Sequence, residues 1–300
     1  MTKTKAIALV VLASVLFGAL PLFVNRAYDA GFNTFDVLFF RFLFAVAVFF
    51  VLLRRKRISL AITRRQGMVL LVSGIIGYVV MSSTLFLSYK YISSGLATSI
   101  HFMYPMIATV AAFFLYKQKL RPLGIAALFL GVGGVFLVSV GSYTLENVLG
   151  LVLAAASAVA FAAYAISIAH PDLKDMPTEK LLFYVSCITV VVIFLGELCF
   201  GTTPFARANA ATLGWSAVIA LFCTVLALAF FTLGVKAMGP ATACILSTLE
   251  PVTSIVLGAL FLDEHLQIYT LFGCLLVIVS VVMISLSSQK KELPTPEEST

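Results

Sequence analysis

Charge is what this sequence has least of. Only 11% of its 300 residues are Asp, Glu, Lys or Arg, against roughly 25% in an average soluble domain. A chain that is 61% apolar cannot hide so much surface behind so little polar cover in water. Histidine is nearly missing too. His101, His170 and His265 are the only three, no HExxH occurs, and no cluster of metal ligands is expected. The five cysteines carry no CxxC spacing and sit in or beside apolar runs, so they read as small core residues rather than disulfides or metal ligands. No GxxxxGK[ST] loop is present, so the chain encodes no nucleotide engine, and no cofactor is expected. These absences set aside a soluble domain, an intramembrane enzyme built on clustered metal ligands or a nucleophile with its base, and a nucleotide-driven pump.

What is present is a series of apolar runs, each about 20 residues long, enough to cross the hydrocarbon core as a helix. A membrane β-barrel would instead show alternating segments of about 10 residues. In lipid every backbone N–H and C=O must be paired within the segment, so the runs are expected to be helices. The reading is an all-α integral membrane protein of about ten transmembrane helices. The expected spans are 5–25, 35–53, 68–88, 95–116, 122–140, 147–169, 179–200, 213–235, 240–262 and 266–287. The first span is long for a signal peptide and is kept as a helix. Residues 289–300 are polar and contain proline, and are expected to be a disordered cytoplasmic tail.

The formal charge of +7 would suggest nucleic acid in a soluble protein, but here the bases lie between apolar runs and report topology instead. With the N-terminus in the cytoplasm, sixteen of the 20 Lys and Arg fall on the cytoplasmic side. Arg26, Lys90 and Arg207 fall outside, and Arg41 lies inside a helix. Both termini are therefore expected in the cytoplasm of a cell that carries the chain in its inner or plasma membrane.

The chain also repeats. A shift of 146 residues lays Lys90 on Lys236, Ala97 on Ala243, Pro105 on Pro251 and Leu120 on Leu266, without a gap from about Leu87 to Gly141. Two halves are expected, 1–143 and 144–288, each of five helices. An odd number of spans turns the second half over, giving inverted repeats with a solute site near the midplane and alternating access.

Within this frame Glu250 is the sharpest feature. It lies about ten residues into its helix, roughly 15 Å from either face, where a charge costs about 2.5–3.5 kcal/mol on insertion scales and usually marks a pathway. Pro251 follows it and, inside a helix, would free the carbonyl of Ser247. The packing alternative is a proline kink beside a protonated glutamate. The repeat supplies a mate, with His101, Tyr104 and Pro105 at the corresponding positions, Pro105 freeing the carbonyl of His101. Glu250 and His101 could recognise a polar or zwitterionic solute or serve as a proton site; for His101 and Tyr104 an ordinary core role weighs as much or more. Arg41, about six residues into the second helix, could hold a solute carboxylate, pair with Asp36 or snorkel to the interface. Glu197 and Trp215 read as interfacial. Phe17, Tyr78, Phe161 and Tyr164 read first as packing. Gly124, Ala127, Gly131 and Gly134 form a small-residue stripe, read first as close helix packing and second as a homodimer seam.

Several stretches are recognisable. "LFGALPLFVNRA", "FDVLFFRFLFA", "ATACILSTLEPVTSIVLGALFLDEHL" and "FGCLLVIVSVVMI" resemble the EamA family of the drug/metabolite transporter superfamily over nearly the whole chain. The resemblance implies a ten-helix inner-membrane carrier, often an exporter, of metabolites or drug-like compounds. The family often ends its fourth helix on an acidic residue, as the ninth does here with Asp263 and Glu264; this chain has "LYKQKL" there. The expected partners are a small-molecule solute and membrane lipids, with no nucleic acid. The expected function is secondary transport, in the export direction, of a small metabolite such as an amino acid or of a drug-like compound, with any coupling coming from a proton or from exchange. The alternative is a membrane scaffold or partner subunit, for which a costly buried acid has no evident use.

Overall fold

The apolar runs are helical, and they break where the sequence takes away a backbone hydrogen bond. The computed structural model describes residues 2–116, 122–139, 145–168, 170–238, 243, 246–264 and 267–289. The tail from residue 290, most of the "LYKQKL" stretch, Pro240, Cys244 and His265 lie outside the described residues. Among the described residues there is no strand.

Helices α1 (Lys3–Gly18) and α2 (Leu20–Asp29) form one rod interrupted at Ala19. Helix α3 spans Thr34–Arg55. Helix α4 (Arg64–Val72) runs through a π-wound segment (Ser73–Val80) into α5 (Met81–Ser88). Then come α6 (Ser94–His101), α7 (Tyr104–Tyr116) and α8 (Pro122–Ser139). The second half opens with α9 (Leu145–Ile168), a single turn α10 (Pro171–Lys174) and α11 (Thr178–Cys199). Helix α12 (Ala210–Ala220) passes through a second π segment (Leu221–Leu226) into α13 (Ala227–Met238). Helices α14 (Leu249–Phe261) and α15 (Ile268–Gln289) close the chain. Six rods are long and apolar enough to cross a membrane, and three shorter apolar helices accompany them among the described residues. The 22 residues of α3 cover roughly 33 Å.

Two features depart from the expected spans. The first rod is not continuous: Pro21 has no N–H to give the Phe17 carbonyl, and the chain turns at Ala19 before resuming with Pro21 in the first turn of α2. The π segments have no counterpart in the expectation either. Under the 146-residue shift Met81 lies on Ala227, the residues at which α-winding resumes in the two rods. The same irregularity thus recurs at the same place in both halves.

Helix starts are fixed locally. Asn33 caps α3, its Oδ1 accepting from Phe35 N (2.7 Å) and Asp36 N (2.8 Å), while Asp36 Oδ2 accepts from Asn33 N (2.8 Å). This reciprocal box satisfies amides that a helix start leaves orphaned. Asn209 and Thr212 build the same box on α12. At the opposite end of α3, Lys56 pairs with Glu179 (2.5 Å) and Tyr184 donates to the Leu60 carbonyl, tying the following loop to α11.

The principal packings join the halves. Helix α1 lies along α13, α5 along α9, α3 along α11, α6 along α14 and α8 along α15. The stripe of Gly124, Ala127, Gly131 and Gly134 is buried. Ser280 on α15 donates to the Ala127 carbonyl (2.7 Å), and a methyl group on Gly134 would sit 2.8 Å from the Gly273 carbonyl. The stripe therefore serves close packing inside the chain, and α15 occupies the face that a dimer seam would need.

Candidate functional site

Three helix interruptions converge. Helix α6 ends at His101, the chain turns through Phe102 and Met103, and α7 starts at Tyr104–Pro105. In the second half the turn falls at Thr248, and α14 starts with Leu249, Glu250 and Pro251. Both prolines thus stand in a first turn, where the missing N–H breaks no helical bond, rather than kinking a continuous helix. The same break explains how Glu250 is tolerated. Its carboxylate sits at a helix N-terminus, where unpaired amides and the helix dipole favour negative charge. The third interruption, at Ala19, presses against it: a methyl group on Gly18 would lie 2.5 Å from the Glu250 carbonyl oxygen and 2.6 Å from Thr253 Cβ.

Between these breaks lies a cavity of about 150 Å³, and Glu250, His101, Tyr104, Ser247 and Arg41 all line it. Phe17, Tyr78 and Phe161 line it as well. Tyr164 stands one layer behind, packed on Tyr78 (4.9 Å between ring centres) and on Phe161 (5.8 Å). Tyr104 meets Phe161 edge-on at 4.5 Å. The walls are therefore aromatic with a few polar groups at fixed points, the usual make-up of a small-molecule site.

Arg41 is only 8% exposed. Its Nε donates to Thr224 Oγ1 (3.0 Å), and its guanidinium carbon lies 5.1 Å from the Phe42 ring centre and 5.3 Å from that of Phe86. Neither the Asp36 pairing nor the snorkelling read from the sequence occurs. Five residues along a helix turn the two side chains to different sides, and Asp36, fully buried, takes Arg207 Nη1 instead (3.2 Å). Among the described residues no acid forms an ion pair with Arg41, and its hydrogen-bond partner, Thr224, is uncharged.

His101 has a definite tautomer. Ser157 Oγ gives its one hydrogen to the Ala154 carbonyl (2.6 Å), so at 2.9 Å it can only accept from His101 Nδ1–H. Nε2 then holds the lone pair and acts as an acceptor at the cavity wall. Ser247 donates to the Ala243 carbonyl (2.9 Å). Among the described residues no hydrogen bond or ion pair engages the Glu250 carboxylate.

On one side of the cavity, α6 and α14 form a tight seam. Ser94 N donates to Glu264 Oε1 (2.8 Å), a methyl group on Gly95 would lie 2.5 Å from Ile255 Cγ1, and Thr98 Oγ1 lies 3.2 Å from Ser254 Oγ. Asp263, at φ 52°, turns the chain so that Glu264 can reach back, its own N–H meeting the Gly258 carbonyl (3.3 Å). At the same end, Glu197 is buried rather than interfacial (4% exposed), with Oε1 3.5 Å from Asn33 Nδ2. Trp215 is half-buried and stacks on Phe23 at 6.0 Å. Sequence reasoning missed Thr224, Ser157 and Gly18. The signal for Thr224 was available, a hydroxyl residue midway through an apolar run.

Comparison with known proteins gives one family. The model of the EamA-like transporter family matches twice, over residues 4–140 and 148–286, which establishes a two-repeat architecture. The uncharacterized transporter YetK of Bacillus subtilis is 25% identical over 253 residues, covering 80% of this chain and 74% of its own length. The uncharacterized inner membrane transporter YicL of Salmonella typhimurium is 26% identical over 247 residues, 79% of each chain. The uncharacterized transporter YcbK of Bacillus subtilis is 24% identical over 294 residues, 94% of each. A solved crystal structure covers 97% of this chain and 100% of its own with a TM-score of 0.67. At 18% identity that likeness concerns the fold alone.

Proposed function

From the premise that this chain belongs to the EamA-like transporter family, and is a multi-pass membrane transporter, we propose that it exports a small polar metabolite, an amino acid or a close relative, by alternating access. The carrier has ten spans in two inverted halves, 1–143 and 144–288, with both termini in the cytoplasm of a cell whose inner or plasma membrane holds it. The solute sits between the halves, touched by Glu250, His101, Tyr104, Ser247 and Arg41. Glu250 and Arg41 offer opposite charges to a zwitterion, and Glu250 takes and releases the proton that drives the cycle.

The observation that carries this reading is the meeting of those five side chains around one cavity beside two broken helices. Half-helix ends facing a midplane site are how many carriers expose backbone groups to cargo. The helix pairing supports the inverted plan. Exchanging the halves turns the α1–α13 packing into α9–α5, and maps α3–α11 and α8–α15 onto themselves. The seam at Ser94, Gly95 and Thr98 supports a state closed at one end. A scaffold would have no use for a cavity with an arginine and a glutamate in its wall.

The test is flux. Purified protein in proteoliposomes is offered a panel of amino acids, purines, sugars and cationic drugs, with and without a proton gradient. Saturable flux of at least one solute is expected, and Glu250→Gln should change that flux or its proton dependence while leaving the fold intact. Absence of both flux and binding across the panel overturns the reading.

A further inference from the structure

Resting on the carrier reading above, we propose that Thr224, presented by the π-wound segment of α12–α13, is the positioning residue of an anion subsite at Arg41, and that the cargo carries a carboxylate.

The argument begins with hydrogens. Thr224 Oγ1 is 3.2 Å from the Ile219 carbonyl, five residues back. A threonine in α-winding reaches the carbonyl three or four residues back; the five-residue reach belongs to π-winding, and Thr224 lies inside the segment Leu221–Leu226. The hydroxyl has a single hydrogen, and a carbonyl can only accept it. Thr224 Oγ1 must therefore face Arg41 as an acceptor, and it receives Nε–H at 3.0 Å. The Phe42 and Phe86 rings hold the guanidinium from the sides. With Nε engaged and the plane clamped, the edge formed by Nη1 and Nη2 remains.

That edge is unspent. Neither Nη atom makes a hydrogen bond among the described residues, and neither is among the buried atoms sealed from free space. The free space that Arg41 lines is the central cavity. A guanidinium buried to this degree with its forked edge open is matched by a planar anion with two oxygens, which can take two parallel N–H···O bonds. A neutral amide at the same place accepts with one oxygen and sets its NH₂ against a second donor. The subsite thus separates an acid from its amide, and a group left unpaired in a dry site is what makes such discrimination large. The aromatic walls suit an apolar body behind the carboxylate.

The test uses matched acid and amide pairs: L-leucine, L-phenylalanine and 3-phenylpropionate, each against its amide. Binding is measured by titration calorimetry on the full chain in lipid nanodiscs, and flux of any acid that binds is followed in proteoliposomes. At least one acid should bind at least tenfold more tightly than its amide. Thr224→Val keeps the shape and removes the hydroxyl; it should weaken binding of that acid roughly tenfold and raise KM with kcat little changed, while amide binding stays within twofold. Thr224→Ser restores the acceptor and should restore the acid preference. If Thr224→Val does not purify as folded protein, Thr224→Ala takes its place with the same expectation. No acid preferred over its amide by tenfold, or an unchanged preference in Thr224→Val, overturns the subsite. Saturable flux of some non-anionic solute in the same vesicles would then leave the carrier reading standing, whereas no flux of anything defeats both.

Discussion

Replacing Gly18 with alanine tests whether the three helix interruptions act as one assembly. The new methyl group would lie 2.5 Å from the Glu250 carbonyl oxygen and 2.6 Å from Thr253 Cβ. Neither atom belongs to a flexible chain end, and ordinary contact begins at 3.4 Å. The α1 rod must therefore retreat from α14 by about 0.9 Å, or both must bend. Overpacking of this kind costs about 1–3 kcal/mol. The helix-propensity gain from glycine to alanine, up to about 1 kcal/mol in a helix interior, is smaller at Gly18 because the helix ends there. Gly133 is the matched control, since a methyl group there meets nothing within 4 Å. Gly133→Ala should be neutral or more stable by about 0.5–1 kcal/mol. The two variants should therefore differ by about 2 kcal/mol, and Gly18→Ala should also lose solute affinity, because the retreat displaces Glu250. The assay is thermal unfolding in detergent read by a thiol-reactive fluorophore, with buried Cys223 and Cys274 as reporters and Cys199→Ser to quiet the exposed thiol. If Gly18→Ala unfolds with Gly133→Ala and binds cargo as the parent does, the interruptions are not mechanically joined.

Asp36→Ala should destabilise by about 2–3 kcal/mol in the same assay, since it removes the α3 capping box and leaves Arg207 without its buried partner. Ser157→Ala should cost about 1–3 kcal/mol and weaken solute binding, because His101 Nδ1–H loses its acceptor and the ring loses its fixed tautomer. Thr98→Val and Ser254→Ala should be non-additive in a double-mutant cycle by about 0.5–1 kcal/mol, the signature of a direct contact across the α6–α14 seam. On whole cells an impermeant maleimide should label Cys199 and spare Cys223 and Cys274, and labelling only after permeabilisation would reverse the proposed orientation.

The helical class was legible because lipid-length apolar runs leave little other choice, and α3 and α11 begin and end within two residues of the runs that announced them. That the fourth and ninth spans yield at Pro105 and Pro251 was legible because those residues forbid specific bonds, but the expectation was a kink inside one helix where the chain ends one helix and starts another; the repeat placed His101 opposite Ser247 and Tyr104 opposite Glu250. Pro21 carried the same message and was read through, the first span being drawn on to Asn25. The π segments left no mark in composition; an extra residue per turn is decided by the neighbours a helix packs against. The partners of Asp36 and Arg41 were hidden by distance along the chain, at 171 and 183 residues. Nearness in sequence suggested pairing them with each other, and helix geometry turns them apart. Glu197 looked interfacial because it stands near a helix end, yet the capping box of α3 folds over it.

The Ser94–Glu264 clasp has no twin. It depends on a backbone amide hydrogen at position 94, and 146 residues later the chain places Pro240, a residue that has none. Glu264 likewise answers to Gln118, which carries no charge. Two matching repeats thus cannot carry matching fastenings: the amide-to-carboxylate clasp that joins α6 to α14 has to be replaced by different chemistry at the equivalent place in the other half.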